Sequence, residues 1–270
     1  MPMTRKKLKF KITVVASIAV VIVFAALFSG IIAPNDPYST SAAGIRMAPS
    51  FEYPFGTDNL GRCVFSRVLY GGRTTIGMTF LLVAISFVIG TFIGMICGYF
   101  GGWLDRLLMR VADVTLAFPQ MVIAIAVAGI LGGGLFGVLL ALGITMWVSF
   151  ARLARSHTYS LKSKPYISAA ILAGKSSWYI LGRHIFPNIL ASLLTNGLTQ
   201  IGVTMIGISG LSFLGIGVQA PSAEWGQMIA EARAYIQIAP WAVLFPALAI
   251  AITIIVFNYL GDLIMDYREL

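Results

Sequence analysis

Charge is scarce in this sequence. Only 11% of its 270 residues are Asp, Glu, Lys or Arg and 58% are hydrophobic, whereas ordinary globular chains hold about 25% and 45–50%. Two cysteines are too few for a disulfide scaffold, and 28 glycines without a repeat exclude a collagen-like chain. Abundant large aliphatics exclude disorder. No Asp, Glu, Lys, Arg or His falls inside any of six apolar windows, at 12–33, 75–98, 114–131, 135–150, 189–208 and 240–261. The fourth is short, but each approaches the roughly 20 residues with which a helix crosses a bilayer. The expected fold is therefore an all-α membrane protein with six transmembrane helices. Spans and connections use the length, so no soluble ATPase or ligand-binding domain is expected within it.

The missing membrane charges also narrow the function. Ion-driven carriers keep costly ionisable groups at membrane depth, because those groups carry the coupling charge. This chain is expected to draw its energy from elsewhere. An intramembrane hydrolase would lack its base, since the only histidines, His157 and His184, share one polar connection. Without further His or Cys nearby they do not form a metal site. Gly174-Lys175-Ser176 resembles the tail of a phosphate-binding loop, but Ala169 stands where that motif needs glycine. No catalytic residue, cofactor or metal ligand is expected in this chain.

The charges that remain are one-sided. With the N-terminus placed in the cytoplasm, six spans return the C-terminus there. Fourteen of the nineteen basic residues then lie inside with five acids, and five of each sign lie outside. The whole net charge of +9 sits on the cytoplasmic face, as the positive-inside rule requires, and calls for no nucleic acid. The first apolar run exceeds the roughly 7–15 residues of a signal-peptide core and no A-x-A site follows it, so it is read as an uncleaved span. Cys63 falls outside and Cys97 near the inner end of the second span, which argues against a disulfide.

Residues 1–33 read as a cytoplasmic N-terminus and first span, 34–73 as an extracytoplasmic segment, 74–265 as the core, and 266–270 as a cytoplasmic tail. In the extracytoplasmic segment Leu60, Val64 and Val68 recur every fourth residue behind Thr57 and Asp58, which are capping types. They predict an interfacial helix whose Arg62 and Arg67 face lipid head groups, or else dock a partner. The connection at about 156–187 is longer than its spans require. Lys164-Pro165 favours a helix start, Gly174 permits a turn, and 178–185 resumes helix. Two short helices joined at a glycine make a cytoplasmic knob suited to seat another protein.

Two stripes mark the spans. Gly90, Gly94 and Gly98 let another helix approach closely. Ser192, Asn196, Gln200 and Thr204, also four apart, need polar partners either in neighbouring helices or along a water-filled path. On the second reading they line a route for a polar solute.

Several segments are similar to a known family. Tyr166-Ile-Ser-Ala-Ala-Ile-Leu-Ala-Gly174 followed by Ile185-Phe-Pro187-Asn188 resembles the Glu-Ala-Ala loop of permease subunits in bacterial ATP-binding-cassette importers. Phe55-Gly-Thr-Asp-Asn-Leu-Gly-Arg62 with Ser66-Arg67, Gly210-Leu-Ser-Phe-Leu-Gly-Ile-Gly-Val-Gln219 with Trp225-Gly226, and Asn258-Tyr-Leu-Gly-Asp262 resemble the peptide/nickel class, second permease type. The resemblance runs from about Pro34 to Asp262. It implies a multi-pass subunit of the bacterial inner membrane, paired with a second homologous permease. Two ATP-binding subunits holding ATP and Mg, and an extracytoplasmic solute-binding protein, would complete the importer. By resemblance Ser168, Ala169, Ala170 and Gly174 form the coupling helix and its turn.

Two positions depart from the family pattern: Ser168 replaces the usual Glu, and Cys63 replaces the Asp that commonly follows Gly-Arg. The run Ala220 to Gly226 with Glu231 to Tyr235 is somewhat more similar to nickel or metal-chelate importers than to dipeptide importers. The competing function, taken from the residues alone, is a stand-alone channel or ion-coupled carrier for small polar solutes.

Overall fold

The structure, a computed structural model, describes residues 5–269. The first four residues of segment 1–33, Leu270 of the tail, and the side chain of Glu269 lie outside the described residues. The chain folds into helices, and among the described residues the only β feature is an isolated bridge between Thr57 and Cys63. In chain order the helices of eight residues or more are α1 (Arg5–Leu27), α2 (Val64–Phe100), α3 (Gly102–Ala117), α4 (Gln120–Ile130), α5 (Gly134–Lys162), α6 (Pro165–Leu172), α7 (Ser177–Phe213), α8 (Trp225–Ala232) and α9 (Trp241–Glu269).

Five of these, α1, α2, α5, α7 and α9, are long and apolar enough to cross a membrane. The window at 114–131 is not one straight helix. It contains the break between α3 and α4, which meet at 92°. Pro119 has no N–H to continue the ladder and its ring disfavours the helical conformation for the residue before it. Phe118 is accordingly extended, at φ −107° and ψ 144°. Among the described residues the count is five candidate spans, or six if the bent pair is one.

The expected interfacial helix does not exist as a separate element. Residues 58–63 form a turn closed on the Asp58 carboxylate, which accepts from the backbone N–H groups of Leu60 (2.9 Å) and Arg62 (3.0 Å). Helix begins at Val64 and continues without a break into the second span. Cys63 and Cys97 are both free and buried. They sit at opposite ends of α2, about 50 Å apart at 1.5 Å per residue.

The glycine stripe performs as expected. A Cβ at Gly90 would lie 2.4 Å from the Trp147 carbonyl oxygen, one at Gly94 2.2 Å from that of Ala151, and one at Gly98 2.6 Å from that of Arg155. Helices α2 and α5 therefore touch backbone to backbone along three turns. In lipid, where apolar side chains gain little by leaving the solvent, such close contact is what holds helices together. Leu82, Leu142, Phe150, Leu193 and Ile208 fill the core that α2, α5 and α7 share.

Candidate functional site

Three features stand out, two at the end of the bundle that carries α6 and one at the opposite end. The first is the knob. Lys164 is extended and Pro165 takes the first position of α6, where its missing N–H costs nothing. The helix closes when the Lys175 N–H bonds the Ala170 carbonyl at 3.1 Å, over Gly174 at φ +72°. Glycine takes that left-handed conformation without a steric penalty. The Ser176 hydroxyl then accepts from the Tyr179 N–H at 3.3 Å and starts α7. Ser168, Ala169 and Gly174 are exposed and Ala170 is half-buried. Leu172, at 88% exposure, is the most exposed large hydrophobic residue of the knob. Ile167 beneath is buried with Ile180 and Ile185.

The second short helix is not free-standing but forms the head of α7, the fourth of the five long helices. One wide turn over Leu181–Ile185, in which the Phe186 N–H bonds the Leu181 carbonyl, joins it to the rest of α7. That turn lies directly before Pro187, whose ring would collide with the Arg183 carbonyl in regular α geometry. The knob region is braced from outside by Trp178, with ring centroids 6.4 Å from Phe92 and 6.1 Å from Phe100 of α2. Lys162 donates to the Tyr99 carbonyl at 2.6 Å. Arg155 and Arg152 of α5 pair with Asp105 (2.6 Å) and Asp113 of α3.

The second feature is a cavity of about 510 Å³ near the same end, with His157 of α5, Ser192, Asn196 and Thr199 of α7, and Arg268 of α9 in its wall. The Arg268 guanidinium donates to the Ser192 hydroxyl at 3.0 Å, and the Asn196 amide to the Ser149 hydroxyl at 3.4 Å. The polar stripe of α7 is thus divided. Ser192 and Asn196 reach the cavity. Thr204 is buried, donating to the Gln200 carbonyl at 2.6 Å with the Met146 sulfur 3.5 Å away, and Gln200 is half-buried outside the cavity wall. A helix periodicity of 3.6 turns residues spaced by four slowly around the axis, which is why the four do not share one surface.

The third feature, at the opposite end, is a buried ion cluster. Arg62 and Arg67, expected at lipid head groups, are 3% and 1% exposed. Arg62 binds Asp58 and Glu231, both at 2.6 Å. Arg67 lies 3.3 Å from the same Glu231 carboxylate and donates to the Pro37 carbonyl at 3.4 Å. Beside it Glu224, with no exposed surface, caps α8 by accepting from the Gln227 N–H at 2.8 Å. It also accepts from the hydroxyls of Thr75 (3.0 Å) and Ser209 (3.3 Å). One carboxylate thereby joins α2, α7 and α8. A Cβ on Gly226 would lie 2.2 Å from the Ser209 carbonyl, so α8 rests on α7 at backbone distance. Burial pushes the Tyr235 phenol above its ordinary pKa, and its hydroxyl donates to the Asn59 side chain at 3.3 Å.

Sequence reasoning missed Glu224 and Glu231 as partners and Arg268 as part of a site. Their contacts cross 149 residues for Glu224 with Thr75, 169 for Glu231 with Arg62, and 76 for Arg268 with Ser192. The one local signal was the Glu224-to-Gln227 spacing, a helix-start pattern.

Residues 90–269 match the family described as binding-protein-dependent transport system inner membrane component. The chain is 37% identical over 259 residues to the dipeptide transport system permease protein DppC of Alkalihalophilus pseudofirmus, covering 96% of this chain and 85% of the relative. It is 42% identical over 252 residues to the glutathione transport system permease protein GsiD of Escherichia coli O6:K15:H31, covering 93% and 83%. Among solved structures, the inward-facing MetNI methionine ABC transporter contains a chain with the same fold. The TM-score is 0.61 at 17% identity, over 76% of this chain and 96% of that one.

Proposed function

The chain belongs to the family of binding-protein-dependent transport system inner membrane components, and from that premise we propose that it is the non-catalytic half of a gated path for small peptides. On this reading α3 and α4 together make one bent span, six spans cross the membrane, and both termini are cytoplasmic. The segment 34–73 is extracytoplasmic, 74–265 is the permease core with its coupling loop at about 156–187, and 266–270 is a cytoplasmic tail. A second permease completes the path, two ATPases holding ATP and Mg grip the coupling loops of the two permeases, and a binding protein delivers cargo from the other side.

The observation that carries the proposal is the continuity of α7. Gly174 ties the knob, with Ser168 and Ala169 exposed and Ala170 half-buried, to the head of a 37-residue helix, and Ser192 and Asn196 of that helix reach the polar cavity. A push on the knob is transmitted along a rigid element to the cavity wall, the physical requirement for an external engine to act on a path. The names of the relatives, dipeptide and glutathione permeases, support a small-peptide cargo and do not support the lean to nickel or metal chelate. They do not favour a stand-alone channel or ion-coupled carrier either.

Reconstitution in liposomes tests the proposal. Dialanine uptake is expected only when the second permease, both ATPases, the binding protein and ATP are all present. Uptake at full rate by this chain alone, or uptake that collapses with the proton gradient while ATP is maintained, contradicts it.

A further inference from the structure

The cavity at the knob end has a chemistry more specific than a polar lining. Its cation is Arg268, and none of the described residues in its wall is Asp or Glu; Asp262 and Asp266 of α9 do not line it. Arg268 spends one donor on the Ser192 hydroxyl, and a guanidinium carries five N–H groups in a fork that fits a carboxylate. Around it stand the polar side chains His157, Asn196 and Thr199, while Leu153 and Met265 supply apolar wall. Three different helices, α5, α7 and α9, contribute. At about 510 Å³ the space is in the range of sites for small ligands.

On the permease reading proposed above, we infer that this cavity is a binding site for the free carboxylate of a small peptide at the inner mouth of the path. Arg268 holds the carboxylate, Asn196 and His157 meet the amide, and Leu153 and Met265 meet a small side chain. Among the described residues the wall offers a charged partner for an oxyanion and none for an ammonium group. The site therefore reads the C-terminal end of the peptide and is indifferent to the charge of its amino end. A charge-assisted hydrogen bond is shorter and about twice as strong as a neutral one, so removing the carboxylate removes most of the affinity.

The experiment uses the whole complex in nanodiscs, with Thr199→Cys as reporter in the cavity wall. Cys63 and Cys97 are buried, and alkylation by N-ethylmaleimide is followed by the mass of this chain. At a dialanine concentration about ten times its Kd, alkylation slows about tenfold. N-acetyl-dialanine protects equally and dialaninamide does not. Arg268→Gln abolishes protection, and Arg268→Lys, which keeps a point charge, retains part of it.

Equal protection by dialanine and dialaninamide, or undiminished protection in Arg268→Gln, overturns the inference. A lipid phosphate is the other source of an oxyanion. Comparing discs of phosphatidylcholine with discs containing phosphatidylglycerol separates the two. Protection that needs phosphatidylglycerol and ignores dialanine also overturns the inference. ATP-driven dialanine uptake by the unsubstituted complex is measured in parallel. Normal uptake without protection removes this site and leaves the permease proposal standing, whereas ATP-independent uptake removes the permease proposal itself.

Discussion

At the scale of single residues, glycine serves two different purposes in this chain. At Gly94 it is needed for space, because a side chain would enter the backbone of α5. At Gly174 nothing lies within 4 Å of an added Cβ, so the requirement is conformational and comes from φ +72°. For a residue with a Cβ the left-handed region costs roughly 1–2 kcal/mol, and more for a β-branched one. Gly174→Val is expected to redirect the chain after α6, weaken retention of the ATPases during affinity purification, and reduce transport. Gly174→Asn, a residue that tolerates this conformation, retains most of both. Equal retention in the two variants would contradict the turn as the cause. Both glycine roles were legible in the sequence, because spacing reveals a packing stripe and a helix-breaking position reveals a turn. What Glu224 does was not legible, since its partners Thr75 and Ser209 come together only when α2, α7 and α8 pack.

At the scale of elements, most long helices followed from apolar run length, and the failures have local causes. The window at 114–131 was read by hydropathy alone, which is blind to the Phe118-Pro119 break. The interfacial helix was read from the recurrence of Leu60, Val64 and Val68. The Asp58 carboxylate instead closes a turn that ends at Cys63. Placing Arg62 and Arg67 at head groups treated them as unpaired, whereas Asp58 and Glu231 neutralise them in a buried cluster. That cluster pins the segment before α2 to α8. Breaking a buried ion pair by removing one partner leaves an uncompensated charge and costs about 3–5 kcal/mol. Arg62→Met is accordingly expected to lower the Tm of the purified complex by several degrees and to expose the 34–63 segment to protease. Because the charges are shielded from solvent, the loss should change little with salt. An unchanged Tm would show that the cluster contributes no net stability.

At the scale of the whole molecule, the two ends differ in construction. One end is locked by Glu224 and the Arg62, Arg67, Asp58 and Glu231 cluster. The other carries an exposed knob, a polar cavity, and the basic residues that the positive-inside rule places in the cytoplasm. The proposed function depends on that polarity, because ATPases reach the knob only from the cytosol. Labelling of engineered thiols in intact cells with an impermeant maleimide tests this directly, comparing Leu172→Cys on the knob with Phe51→Cys on the other end, both fully accessible in the fold. Labelling of Phe51→Cys in intact cells, with Leu172→Cys labelled only after the membrane is opened, is the predicted result. Labelling of Leu172→Cys from outside would contradict the account.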